Sequence, residues 1–141
     1  MKRWLLDTGA LVAYLDASDP AHDRVVDALG DFSGRLHTTS AVVTEAMHLV
    51  AEHSSGPELL VDLLTSTQTQ IAEMMRPAHL RAAVALMTKY ADTPMDFADA
   101  TLVLIAEELA VIDILTLDRR GFSTYRTPGG KAFRLILKPE R

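Results

Sequence analysis

The sequence predicts an α/β domain: a mainly parallel central sheet flanked by helices, with a C-terminal β-hairpin. Three observations carry that reading. The short apolar runs Trp4 to Leu6, Leu36 to Thr39 and Val111 to Leu117 have the length and bounding residues of buried strands. Each of the first two is followed by a stretch with helical apolar spacing, and this strand–helix alternation over Leu5 to Leu117 implies parallel strands with helices against them. Composition agrees, since 141 residues at 48% hydrophobic and 23% charged suit one globular domain spanning residues 1–141.

Taken in order, Trp4-Leu5-Leu6 stops at Asp7-Thr8-Gly9, and Ala10 to Leu15 resumes as a helix. Asp7 therefore stands at the end of a central strand, the edge of an α/β sheet at which ligands bind. An acid there serves equally as the N-cap of the following helix. From position alone the cap is the simpler reading, and the later acids reverse it. Met1 to Leu6 has the basic and apolar opening of a signal peptide, but Asp7 interrupts it too early. No stretch approaches the roughly 20 apolar residues that span a bilayer.

Ser18-Asp19-Pro20 predicts the start of an amphipathic helix over Ala21 to Leu29, with His22 facing solvent. Leu36 to Thr39 is the second strand, and Ser40 opens a helix over Ala41 to Glu52 that carries Glu45 on a largely apolar stretch. On its own Glu45 reads as an ordinary exposed helix residue. Glu45 and His48 form Glu-x-x-His, but the second copy that a di-iron bundle needs is missing. His53 to Pro57 breaks the chain into a helical hairpin with Glu58 to Leu64, Thr67 to Ala72 joins the sheet, and Pro77 to Tyr90 is helical.

Thr93-Pro94-Met95-Asp96 has the form of a capping box with proline at the first helical position, opening a buried helix from Phe97 to Ala106. Asp96 has a local role on that reading. Asp99, three residues on and among apolar neighbours, is expected to have no such outlet, and burying its charge is costly unless a partner or metal faces it. The strand Val111 to Leu117 also ends on an acid, Asp118. Beyond it, Ser123 to Thr127 and Ala132 to Leu137 flank the Pro128-Gly129-Gly130 turn as the expected hairpin.

Charge and motif content exclude several classes. The chain has no cysteine, so thiolate catalysis, disulfides and Cys-based zinc or iron–sulfur sites are ruled out, and the reducing cytoplasm is the expected location. It has no P-loop and no Gly-x-Gly-x-x-Gly. Asp7-Thr8-Gly9 lacks the second Asp two residues on that a haloacid dehalogenase-like phosphotransferase carries. Net charge is −5, yet Lys and Arg number 7 against 18 acids up to Asp118 and 7 against 1 thereafter. The basic end suits either a polyanion or plain solvation.

In a parallel sheet, strand C-termini and helix starts share one edge. Asp7, Glu45, Asp99 and Asp118 then meet in one pocket with Asp96 at its rim. Carboxylates so close repel unless cations neutralise them, and an all-oxygen set selects Mg²⁺ or Mn²⁺ over zinc.

The motifs Leu5-Leu6-Asp7-Thr8-Gly9-Ala10-Leu11, Thr39-Ser40-Ala41-Val42-Val43-Thr44-Glu45, Asp96-Phe97-Ala98-Asp99-Ala100 and Leu115-Thr116-Leu117-Asp118-Arg119-Arg120-Gly121-Phe122 together resemble the PIN domain family, in particular its VapC-type toxin ribonucleases. The resemblance implies that Asp7, Glu45, Asp99 and Asp118 are the catalytic, metal-holding quartet, with Asp96 a further candidate ligand and the Thr116 hydroxyl supporting them. It implies an Mg²⁺- or Mn²⁺-dependent endoribonuclease, homodimeric and cytoplasmic, neutralised by an antitoxin whose C-terminal segment enters the acidic site. Arg119, Arg120 and Arg126 are the candidate RNA-backbone contacts. The long C-terminal hairpin extends past the minimal pattern, which leaves a non-toxin PIN nuclease, or a non-catalytic binding module of the same fold, as the alternative.

Overall fold

A computed structural model describes residues 1–139; Glu140 and Arg141, counted above in the basic C-terminal segment, lie outside the described residues. The elements run β1 (Lys2–Leu6), α1 (Thr8–Leu15), α2 (His22–Gly30), β2 (Gly34–Thr39), α3 (Ser40–Val50), α4 (Gly56–Ser66), β3 (Gln70–Ala72), α5 (Pro77–Lys89), α6 (Phe97–Leu109), β4 (Asp113–Leu115), α7 (Arg119–Thr124) and β5 (Arg134–Leu135). The strands form one sheet in the order β3-β2-β1-β4-β5. Every neighbouring pair in it is parallel.

Chain order explains where the site lies. From β1 the chain moves outward through β2 to β3, then returns to lay β4 on the opposite side of β1. The order reverses between β1 and β4, and the crevice outside the strand ends at such a reversal is where open α/β sheets bind ligands. Asp7 leaves β1 at that point, with its N–H donating to Leu115 O of β4 at 3.1 Å. Leu5, Leu6, Ile114 and Leu115 are wholly or almost wholly buried, as central strands covered on both faces must be.

The helices bury complementary stripes. α6 runs through the core, with every residue from Ala100 to Ala106 buried, and packs against α5, α3 and β2. α3 packs in turn against α1 and α4. α4 begins at Gly56 and not at Glu58, and only a residue without a side chain fits there, since a Cβ on Gly56 would run into the Val50 carbonyl. On β2, His37 is buried and accepts from Arg3 Nε at 3.3 Å, while Arg3 also donates to Leu109 O at 3.1 Å.

Two local expectations change. α6 does not take Thr93 as its cap or Pro94 as its first residue: the cap is Asp96, with buried Met95 just before it and buried Ala100 in the first turn. That apolar pair is spaced to staple the entry of the chain into the helix. The C-terminal hairpin is reduced to one antiparallel bridge, Arg126 with Ala132, around the Pro128 to Gly130 turn. Residues up to Thr124 are helical as α7, and β5 runs parallel to β4. Arg134 N donates to Ile112 O at 2.9 Å and Ile136 N to Ile114 O at 3.0 Å, so the tail satisfies the open edge of β4. Phe133 meets Phe122 edge-on at 5.3 Å, which anchors it.

Candidate active site

Asp7 is the N-cap of α1 and is buried. One carboxylate oxygen accepts from Thr8 N at 2.8 Å and the other from Thr116 Oγ1 at 2.6 Å. Thr116 in turn accepts from Asp118 N at 3.0 Å. A single hydroxyl thus ties the acid at the end of β1 to the acid after β4. Asp118 is itself the cap of α7, accepting from Gly121 N at 2.9 Å. A Cβ on Gly121 would collide with the Asp118 carboxylate in its capping position, so glycine here leaves room for the cap.

Asp96 and Asp99 form a reciprocal pair at the start of α6. Asp96 Oδ1 accepts from Asp99 N at 2.8 Å, and Asp99 Oδ2 accepts from Asp96 N at 3.1 Å. The expectation that Asp99 lacks a local outlet is therefore corrected. Lying three residues after the cap, its carboxylate can reach back to the cap's own N–H, as the acid of a capping box does. The Asp96 and Asp99 carboxyls also meet side chain to side chain, while Asp118 keeps Oδ2 outside any hydrogen bond among the described residues.

Electrostatics join the four aspartates into one cluster. Burial pushes Asp7 up to about 6 from the ordinary 3.8, the bonds from Thr116 and Thr8 oppose it, and the charges of Asp118 and Asp96 raise it further. Burial also holds Asp99 well above the carboxylate range, reinforced by Asp7 and Asp96. The buried Tyr125 feels all four: desolvation raises its phenol first, and Asp99, Asp118, Asp96 and Asp7 add to it. Its hydroxyl donates to Pro94 O at 2.8 Å, fastening the end of α7 to the turn before α6. Tyr125 carries no motif signal, and reading its segment as a strand hid it.

Glu45 is half-buried on α3, on the helix side shared with buried Ala41 and Val42. Arg119 donates to Leu137 O, and Arg126 donates to the carbonyls of Ser123, Thr124 and Tyr125. Of the three arginines, Arg120 is the exposed one. A groove of about 560 Å³ by the β3 edge, lined by residues such as Met74, Arg76, His79 and Glu108, includes none of Asp7, Glu45, Asp96, Asp99 and Asp118.

Among the described residues no three acids stand close enough to chelate one ion as they are. Their chemistry nonetheless fits a hard cation. The donors are all oxygen, burial reinforced by the neighbouring acids' charge holds two of them above their ordinary range, and next to Asp7 the Thr8 hydroxyl is buried with no partner among the described residues.

The sequence profile of the PIN domain matches residues 4–127. The chain belongs to the PIN domain family. Ribonuclease VapC26 of Mycobacterium tuberculosis is 34% identical to it over 134 residues, covering 94% of this chain and 98% of that one. The crystal structure of Mycobacterium tuberculosis VapC20, a sarcin-ricin loop cleaving toxin, has the same fold, with a TM-score of 0.74 at 15% identity over 82% of this chain and 90% of that one. The PIN match ends at Thr127, so the turn and β5 lie beyond it.

Proposed function

We propose that this PIN protein is a divalent-metal-dependent endoribonuclease that hydrolyses RNA phosphodiester bonds and acts as the toxin of a toxin–antitoxin pair. The observation that carries the reading is the gathering of Asp7, Asp99 and Asp118 at the β1/β4 reversal with Asp7 raised to about 6, in a chain 34% identical to a ribonuclease along almost its whole length. Asp7, Asp99 and Asp118 would hold Mg²⁺ or Mn²⁺, with Glu45 as the fourth acid from α3. When bound, the ion supplies an activated water and charge stabilisation for the departing oxygen.

The chain's own residues do the rest. Thr116 keeps one oxygen of Asp7 turned toward β4 and holds the backbone of Asp118, so one hydroxyl fixes the two chain segments that carry these acids relative to each other. Asp96 caps α6 and raises Asp99 through its charge. Arg120, exposed after the last acid, offers a phosphate contact without sequence readout. Homodimerisation, cytoplasmic location and an antitoxin whose C-terminal segment enters the acidic site belong to the same reading. No helix among the described residues is long and apolar enough to cross a membrane.

The test is Mn²⁺-dependent cleavage of structured RNA by wild type and Asp7→Asn. Cleavage abolished by EDTA and reduced at least about 100-fold in the variant is expected. RNA binding unaffected by EDTA, with the RNA left intact, would establish a non-catalytic binding module instead.

A further inference from the structure

A second hydroxyl relay lies behind the acids and contains no acid. Thr39, at the end of β2, and Thr101, in α6, are both completely buried, with their hydroxyl oxygens 2.8 Å apart. A hydroxyl has one proton to give. Thr101 donates its proton to Ala98 O at 2.7 Å, so the proton between the two threonines comes from Thr39. Thr39 also accepts from Val42 N at 3.3 Å as the N-cap of α3. The result is one directed chain, from Val42 N–H through Thr39 and Thr101 to the Ala98 carbonyl.

Its end point matters. The Ala98 carbonyl and the Asp99 N–H belong to the same peptide plane. The carbonyl accepts from Thr101, and the N–H donates to Asp96 Oδ1 at 2.8 Å. The unit from which the Asp99 side chain springs is therefore held at both ends. Apolar residues of the same shape would fill this space without a direction, and a buried hydroxyl pair is tolerated only when fully matched.

We infer that the Thr39–Thr101 hydroxyl pair is a positioning device that locks the first turn of α6, and with it Asp99, to the start of α3, the helix of Glu45. It does for these two acids what Thr116 does for Asp7 and Asp118. The inference rests on the metal-dependent reading above.

The test compares Thr101→Val, close in shape and without the hydroxyl, with Thr101→Ser, which keeps it. Readouts are Mn²⁺ affinity from the electron paramagnetic resonance of free ion, kcat and KM for RNA, and thermal melting. Thr101→Val is expected to bind Mn²⁺ about tenfold more weakly and to lose kcat with KM nearly unchanged, while Thr101→Ser stays within about twofold of wild type. A folded Thr101→Val with wild-type Mn²⁺ affinity and kcat overturns the inference. If Thr101→Val does not fold, Thr101→Cys, which keeps only a weak donor, is judged by the same two outcomes. A wild-type chain that neither binds Mn²⁺ nor cleaves RNA removes the functional reading and this inference together; a competent wild type beside an unimpaired Thr101→Val removes the inference alone.

Discussion

Asp7 is pulled in opposite directions by its surroundings. Burial and the charges of Asp118 and Asp96 favour the protonated acid, while bonds from Thr116 and Thr8 favour the carboxylate, and the balance leaves it at about 6. A folded-state value above the unfolded 3.8 means that the native protein holds the proton more tightly. The stability this contributes is present below about pH 4 and is lost as pH rises through about 6, a swing of about 3 kcal/mol. Asp99 acts in the same sense. In EDTA, the melting temperature of wild type relative to Asp7→Asn is therefore expected to fall between pH 4 and 7, with the variant the more stable at pH 7.5. Added Mn²⁺ should stabilise wild type more at pH 7.5 than at pH 5, where protons compete. A wild-type advantage over Asp7→Asn that grows with pH in EDTA would contradict the account.

At the scale of the element, α6 separates two acids that look alike in sequence. Both belong to one capping box, yet Asp96 is exposed and accepts from the helix backbone, whereas Asp99 is half-buried, close enough to Asp7 to be raised by its charge. Asparagine is as good an N-cap as aspartate. Asp96→Asn should therefore keep stability within about 0.5 kcal/mol and retain most cleavage, while Asp99→Asn should lose at least about 100-fold in kcat with the fold intact. Denaturant unfolding and single-turnover cleavage of the two variants side by side check this. Equal losses of activity would assign Asp96 to the ion as well.

For the whole molecule, the sheet order sets which strand ends meet, and the segment beyond the PIN match completes the sheet. β5 covers the free edge of β4, Phe133 and Leu137 enter the core, and Arg119 reaches the Leu137 carbonyl. Truncation after Thr127 would expose that edge and remove two buried apolar side chains, a loss of about 3–6 kcal/mol. The truncated chain is expected to melt well below the full chain and to aggregate, as scanning calorimetry and light scattering would show. Unchanged melting would make the segment an appendage.

How much of this was legible depends on range. Alternating apolar runs, the acids at strand ends, and the short motifs around Asp7, Glu45, Asp99 and Asp118 were determined by the sequence alone, because periodicity and turn chemistry act over a few residues. The parallel sheet followed from strand–helix alternation. Tertiary structure decided the rest. A capping box can start at Thr93 or at Asp96, and burial of Met95 against the core selects the second. Ser123 to Thr127 reads as a strand, but Asp118 caps through Gly121 a helix that takes in Ser123 and Thr124, and the unsatisfied edge of β4 turns the other expected hairpin strand into a parallel one. Tyr125 and Thr101 are silent in sequence, and Thr39 shows there only as a strand end and the start of a motif, because the roles of Tyr125, Thr39 and Thr101 are hydrogen bonds across 31, 62 and 62 residues of chain, respectively. Local pattern names the acids; only the packing of distant elements says which of them share a charge.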